Sequence, residues 1–206
     1  MLNISNPESS FLCRGILAGI AIGLGGMVFL SSPTKIVGSI LFSVGLFIIL
    51  NFKLNLFTGK LCYVLEKKNY TEVLVTLIGN LIGTFVFASL MIVAKGGELQ
   101  EVAAAMCEAK LLIPWWKVPI LGFFCNVLIY IAVHGFNTFE TPISKFFAII
   151  FGVVVFIMCG FEHSIADMFY FFYAQIYSWQ SLLFIFLVIL GNLGGGIASH
   201  LVLGGK

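Results

Sequence analysis

The sequence predicts an all-α integral membrane protein with six transmembrane helices. Three observations carry this prediction. Hydrophobic residues make up 60% of the 206 residues and charged residues only 10%, against about 25% charged in an average soluble domain. The mean hydropathy is +1.09, more apolar surface than a globule of this size can hide. The apolar residues also fall in long runs that are apolar all round, which excludes the alternating pattern of a β-barrel. At about 20 residues per crossing, little is left outside the bilayer, so residues 1–206 are expected to form a single transmembrane domain. No soluble catalytic module fits, and no enzyme activity is expected. A formal charge of +2 without a basic run excludes a nucleic-acid binder.

The elements follow in order. Met1 to Ser10 lacks the basic region and small-residue cleavage site of a signal peptide. Phe11 to Leu30 is the first span, with Gly15, Gly19 and Gly23 spaced for close helix contact. Ile36 to Leu50 is apolar but, at about 22 Å as a helix, too short to cross a core of about 30 Å. A polar break follows, from Asn51 through Asn55 and Thr58 to Lys60. Glu66 to Asn69 reads as an aqueous loop. Thr71 to Ala94 is the third span and contains Gly79-Asn80-Leu81-Ile82-Gly83. Lys95 to Lys117 reads as an amphipathic interfacial helix, with Trp115 and Trp116 marking a membrane interface. Pro119 to Val133 is the fourth span. Phe146 to Gly160 is again short, and is followed by a second break at Glu162, His163, Ser164 and Asp167. Leu182 to Leu203 is the last span and contains Gly191-Asn192-Leu193-Gly194-Gly195.

Each half thus has three apolar elements, the middle one broken and the third carrying G-N-L-x-G. Paired interruptions at corresponding positions of two halves point to a transport site. Three spans per half is an odd number, so the halves, about 11–94 and 115–204, are expected to be inverted repeats joined by the segment 95–114. Both termini then share one side with Arg14, Lys67, Lys68 and Lys206, while Lys35, Lys95, Lys110 and Lys117 lie opposite. This charge difference is small, and cytoplasmic termini are favoured.

The candidate chemistry lies at the breaks. Between Phe146 and Gly205 the formally charged side chains are Glu162 and Asp167, flanking His163. An ionisable cluster at membrane depth is costly and functional by default. Thr58 supplies a hydroxyl at the other break, and Leu56, Phe57 and Phe156 could form apolar slits around a polar centre. Asn80 and Asn192 are matched amides, expected to cap backbone groups released by the breaks. Lys145 either snorkels to the interface or faces the pore and concentrates anions. His134 and His200 read as interface histidines. The five cysteines are scattered with no C-x-x-C pair, so neither a metal site nor a cofactor is expected.

At this point the sequence resembles the formate/nitrite transporters. The likeness rests on G-I-L-A-G-I-A-I-G at Gly15–Gly23, L-F-T-G at Leu56–Gly59, Cys125-Asn126, Lys145, G-F-E-H-S at Gly160–Ser164 and G-N-L-x-G in the last helix. The resemblance implies an aquaporin-like six-helix protomer with broken helices two and five, assembled as a homopentamer with one pore per protomer. It implies passage of small monovalent anions or their neutral acids: formate, nitrite, hydrosulfide and, in some members, lactate or acetate. It makes His163 the central pore histidine, Thr58 its neighbour and Lys145 a vestibule lysine. It puts Leu56, Phe57, Phe42 and Phe156 at or near the constrictions. Asp167 stands where many members have Asn, which argues against simple anion attraction. The short N-terminus implies that a long gating helix is absent.

The function expected is therefore a channel-like, proton-linked transporter of small weak-acid anions in the cytoplasmic membrane. Two alternatives stand beside it. One is a channel for water or small neutral solutes. The other is a haem-binding membrane anchor of an oxidoreductase, with His163 and His200 as axial ligands.

Overall fold

The computed structural model describes residues 7–204, with side chains from Phe11 onward. The expectation of a leaderless start at Met1 to Ser10, and the place of Lys206 in the charge count, fall largely outside those residues. The described chain forms ten helices. Helices α1 (Pro7–Leu30), α5 (Tyr70–Lys95), α7 (Val118–Thr138) and α10 (Trp179–Leu203) are long and apolar enough to cross a membrane. Helices α2 (Lys35–Asn51) and α8 (Pro142–Met158) have 17 residues each, about 26 Å. Each is followed, after a break, by a shorter helix: α3 (Phe57–Leu61) and α9 (Ser164–Tyr173). The remaining two are α4 (Val64–Lys67) and α6 (Glu98–Leu111).

Several boundaries move outward from the sequence expectation because polar caps, not apolar runs, start the helices. Thr141 accepts a hydrogen bond from the Ser144 amide, and Pro142 takes the first helical position, where its missing N–H costs nothing. Lys145 therefore lies within the first turn of α8 rather than ahead of it. Ser178 and Ser181 form a reciprocal capping box that begins α10 at Trp179. The loop expected at Glu66–Asn69 is partly helical, since α4 runs to Lys67 and Lys68 closes it in the left-handed region at φ 50°. The segment expected as one amphipathic helix is helical only over α6.

Packing repeats itself. Helix α1 lies against α2 and α5, α7 lies against α8 and α10, and α2 meets α8. Glycines permit the two closest approaches. A Cβ on Gly19 would collide with the Asn80 carbonyl and sit 2.9 Å from the Thr84 amide; one on Gly83 would strike the Ile16 carbonyl. In the other half, Gly191 and Gly195 press on the carbonyls of Pro119 and Phe123. The Gly15/Gly19/Gly23 seam, spaced for close helix contact, lies against α5 and continues onto Phe87 and Phe169.

Candidate functional site

The two breaks have the same backbone design. Helix α2 ends, Lys53 turns at φ 52°, and the Leu54 amide donates back to the Ile49 carbonyl at 2.8 Å. Helix α8 ends, Gly160 turns at φ 69°, and the Phe161 amide donates back to the Phe156 carbonyl at 2.9 Å. Extended residues follow, and then a new helix.

Asn80 and Asn192 hold these breaks in place. Asn80 Oδ1 accepts from the Phe57 amide at 2.8 Å, while its Nδ2 donates to the carbonyls of Asn55 (2.9 Å) and Gly15 (2.8 Å). Asn192 Oδ1 accepts from the Ser164 amide at 3.0 Å, while its Nδ2 donates to the carbonyls of Glu162 (3.0 Å) and Gly122 (2.8 Å). Both amides are fully buried, and all their N–H donors are committed to main chain. Such groups would cost about 1–3 kcal/mol each if left unpaired.

The frame aligns Leu56 with His163 as the residues preceding α3 and α9. Leu56 makes no side-chain cap. His163 does: its Nδ1 accepts from the Ala166 amide at 3.2 Å. An amide can only donate, so Nδ1 is the bare nitrogen and the neutral ring carries its hydrogen on Nε2. That nitrogen lies 2.9 Å from Thr58 Oγ1 across the junction of the two breaks. Nε2–H therefore donates, Thr58 accepts, and the threonine keeps its own hydroxyl hydrogen to give. Both side chains are buried. Asn126, given no role by the sequence reading beyond its place in a motif, ties the halves together. Its Nδ2 donates to the Asn192 carbonyl at 2.8 Å and the Thr58 carbonyl at 3.3 Å.

Phe156 stacks on His163 with ring centres 5.9 Å apart, and Phe42 meets Phe156 edge-on at 6.1 Å. These rings and His163 line a cavity of about 340 Å³ that also receives Lys110, Glu162 and Asp167. A second cavity of about 340 Å³ lies at the opposite ends of α2 and α8, lined by Asn51, Phe136, Glu140 and Lys145. Lys145 Nζ sits 5.8 Å from the Phe136 ring centre there. Leu56, Phe57 and Ser164 are buried beside the junction, and the Ser164 hydroxyl has no hydrogen-bond partner among the described residues.

Lys110 is the residue that sequence reasoning missed. It reads as the polar face of a surface helix, yet its ammonium is bonded to Glu162 and lies 3.0 Å from Asp167 Oδ1. Burial by itself would push this lysine below its usual value. Asp167 and Glu162 outweigh burial and hold it above. Asp167, whose charge the resemblance sets against simple anion attraction, has Lys110 as its ion-pair partner. The haem alternative finds no support, because both ring nitrogens of His163 are engaged and His200 pairs with Glu66 at 3.4 Å.

The comparisons bear on family and fold. The family model described as formate/nitrite transporter matches residues 2–203. The formate channel FocA of Haemophilus influenzae is 26% identical over 189 residues, covering 79% of this chain and 65% of that protein. The chain thus spans slightly under two thirds of that channel's length. The transporter YrhG of Bacillus subtilis is 27% identical over 192 residues, covering 82% of this chain and 72% of that protein. A solved FNT family ion channel superposes with a TM-score of 0.83 at 25% identity, covering 95% of this chain and 88% of that one. A pentameric formate channel with formate bound shares the fold with a TM-score of 0.78 at 24% identity, covering 92% of each chain. With its apolar spans, paired breaks and family-wide match, this multi-pass membrane protein belongs to the formate/nitrite transporter family.

Proposed function

We propose that the protein carries small monovalent weak-acid anions, of the formate, nitrite and hydrosulfide class, across the cytoplasmic membrane in a channel-like, proton-linked manner. The observation that carries this reading is the buried Thr58–His163 bond at 2.9 Å, the polar station between two helix breaks. It is supported by the relatives named as formate channels. The protomer is taken to have six crossings in two inverted repeats, about 11–94 and 115–204, around an aquaporin-like pore. Residues 95–114 join them, the termini are cytoplasmic, and five copies assemble with one pore each.

In this reading Lys145 attracts an anion into its vestibule. Entry into low dielectric disfavours the anion's charge and favours its neutral acid. The acid passes apolar constrictions at Phe42, Phe156, Leu56 and Phe57, where nothing replaces the water shell of a hydrated ion. Thr58, with its free hydroxyl hydrogen, and His163 give the hydrogen bonds between the slits, beside Glu162 and Ser164. Asn80 and Asn192 hold the wall. A proton arriving on His163 must land on Nδ1 and release the Ala166 amide, so ring charge and the start of α9 are linked.

The test is flux of formate, nitrite and hydrosulfide into liposomes carrying the purified protein, at two pH values. Saturable flux of at least one anion, accelerated by lowering pH, is expected. Equal flux of glycerol or water with no anion flux would overturn the reading in favour of a neutral-solute channel.

A further inference from the structure

We propose that Glu162 and Asp167 hold one exchangeable proton between their carboxylates, steadied by Lys110, and deliver it to the permeating anion in the vestibule beside His163. This rests on the transport reading above and names a proton source for anions that enter from the cavity opposite Lys145.

Three observations carry the assignment. A single ammonium serves two carboxylates, both almost wholly buried, so the cluster with both acids ionised has a net negative charge in a poorly solvated place. Asp167 Oδ2 is buried and finds no hydrogen-bond donor among the described residues, although Oδ1 of the same group is satisfied by Lys110. Glu162 and Asp167 bond the same ammonium and so lie side by side. One proton held by the pair cancels the excess charge, and placed between them it would give Oδ2 its donor. Finally, the cluster opens on the cavity that His163 lines, so the acid sits where an anion waits.

The groups facing the cluster are few. Lys110 and Cys107 come from α6, Tyr170 from the same helix as Asp167, Cys125 from α7 and His163 from the break. Lys35 of α2 stands at the cavity wall with its ammonium on the Met158 carbonyl at 3.2 Å. None of the others supplies a second ammonium to Asp167. His163 cannot donate to Asp167 while its Nδ1 caps Ala166 and its Nε2–H is on Thr58.

The step balances simply. The carboxyl O–H bond in the cluster breaks and an O–H or S–H bond forms on the anion, which leaves as a neutral acid. The cluster then holds two carboxylates and one ammonium until water in the vestibule returns a proton. Proton supply thereby becomes local, and transport continues at pH values where the free neutral acid is scarce.

Infrared spectroscopy of the purified protein in detergent tests the first half. A protonated-carboxyl C=O band is expected at neutral pH, lost in both Asp167→Asn and Glu162→Gln. Formate flux in liposomes tests the second half. Asp167→Asn should lose about tenfold or more at alkaline pH, where the cluster is the proton source. It should match the unaltered protein at acid pH, where water supplies protons. A wild-type spectrum without the band overturns the assignment, as does a band that survives both substitutions. An unchanged alkaline flux in a folded Asp167→Asn protein overturns the delivery step. If the unaltered protein moved no anion, the transport reading would fall, and the infrared result would still decide whether the cluster holds a proton.

Discussion

Thr58 accepts the Nε2–H of His163 at 2.9 Å, and so retains a hydroxyl hydrogen of its own. This gives the threonine a donor role that a hydrophobic isostere cannot copy. Thr58→Val should keep the helices, at a cost of about 1–3 kcal/mol for the unpaired His163 Nε2–H. It should lower flux by about fivefold, the worth of one hydrogen bond of about 1 kcal/mol to the neutral acid. Thr58→Ser should restore most of it. Equal flux in Val and wild-type proteins would remove Thr58 from the permeation path.

His163→Asn should fold and assemble, because asparagine is a favoured helix N-cap and can take the Ala166 amide. Its flux should lose the pH dependence of the wild type, with anion leak or near-silence in its place. The check is flux against pH in liposomes. A wild-type profile would leave His163 as a structural cap for α9.

Lys145→Ala should reduce flux most at low substrate and low ionic strength, because a half-exposed charge is screened over about 8 Å at physiological salt. The comparison is initial rate at two salt concentrations. Equal losses at both, or none, would return Lys145 to a snorkelling residue.

Gly19→Leu should impair folding rather than assembly. The new side chain would enter the α1–α5 seam against the Asn80 carbonyl and Thr84 amide, and overpacking of a tight contact costs about 1–3 kcal/mol or more. A lower melting temperature and poor yield in detergent are expected. A stable monomer of normal melting temperature would show that the seam instead joins protomers.

Much of this site was legible in the chain because breaks in apolar runs are themselves a signal. Polar residues at Asn51–Lys60 and Glu162–Asp167 have no reason to interrupt a membrane helix unless something solvates them. Asn80 and Asn192, equally placed in their helices, announced the partner that does so. Lys110 was not legible. Its pairing with Glu162 spans 52 positions, and periodicity reports which face of a helix is polar, not what that face meets. The glycine seam was visible as a pattern, but only three-dimensional contact shows that its partner is α5. The start of α8 was misplaced because an apolar run marks where burial begins, whereas Thr141 and Pro142 mark where the helix begins.

Every bond that the side-chain amides of Asn80 and Asn192 make goes to main chain. These two amides therefore place no demand on the side chains at 55–57 and 162–164, and the matched positions already differ, a leucine at 56 and a histidine at 163. Fold and selectivity overlap at His163, whose ring caps α9, and at Glu162, which holds Lys110, whereas Leu56 makes no side-chain cap. New permeants can be sought by exchanging residues inside this frame, as cartridges in a fixed housing, provided the cap on α9 and the partner of Lys110 are kept.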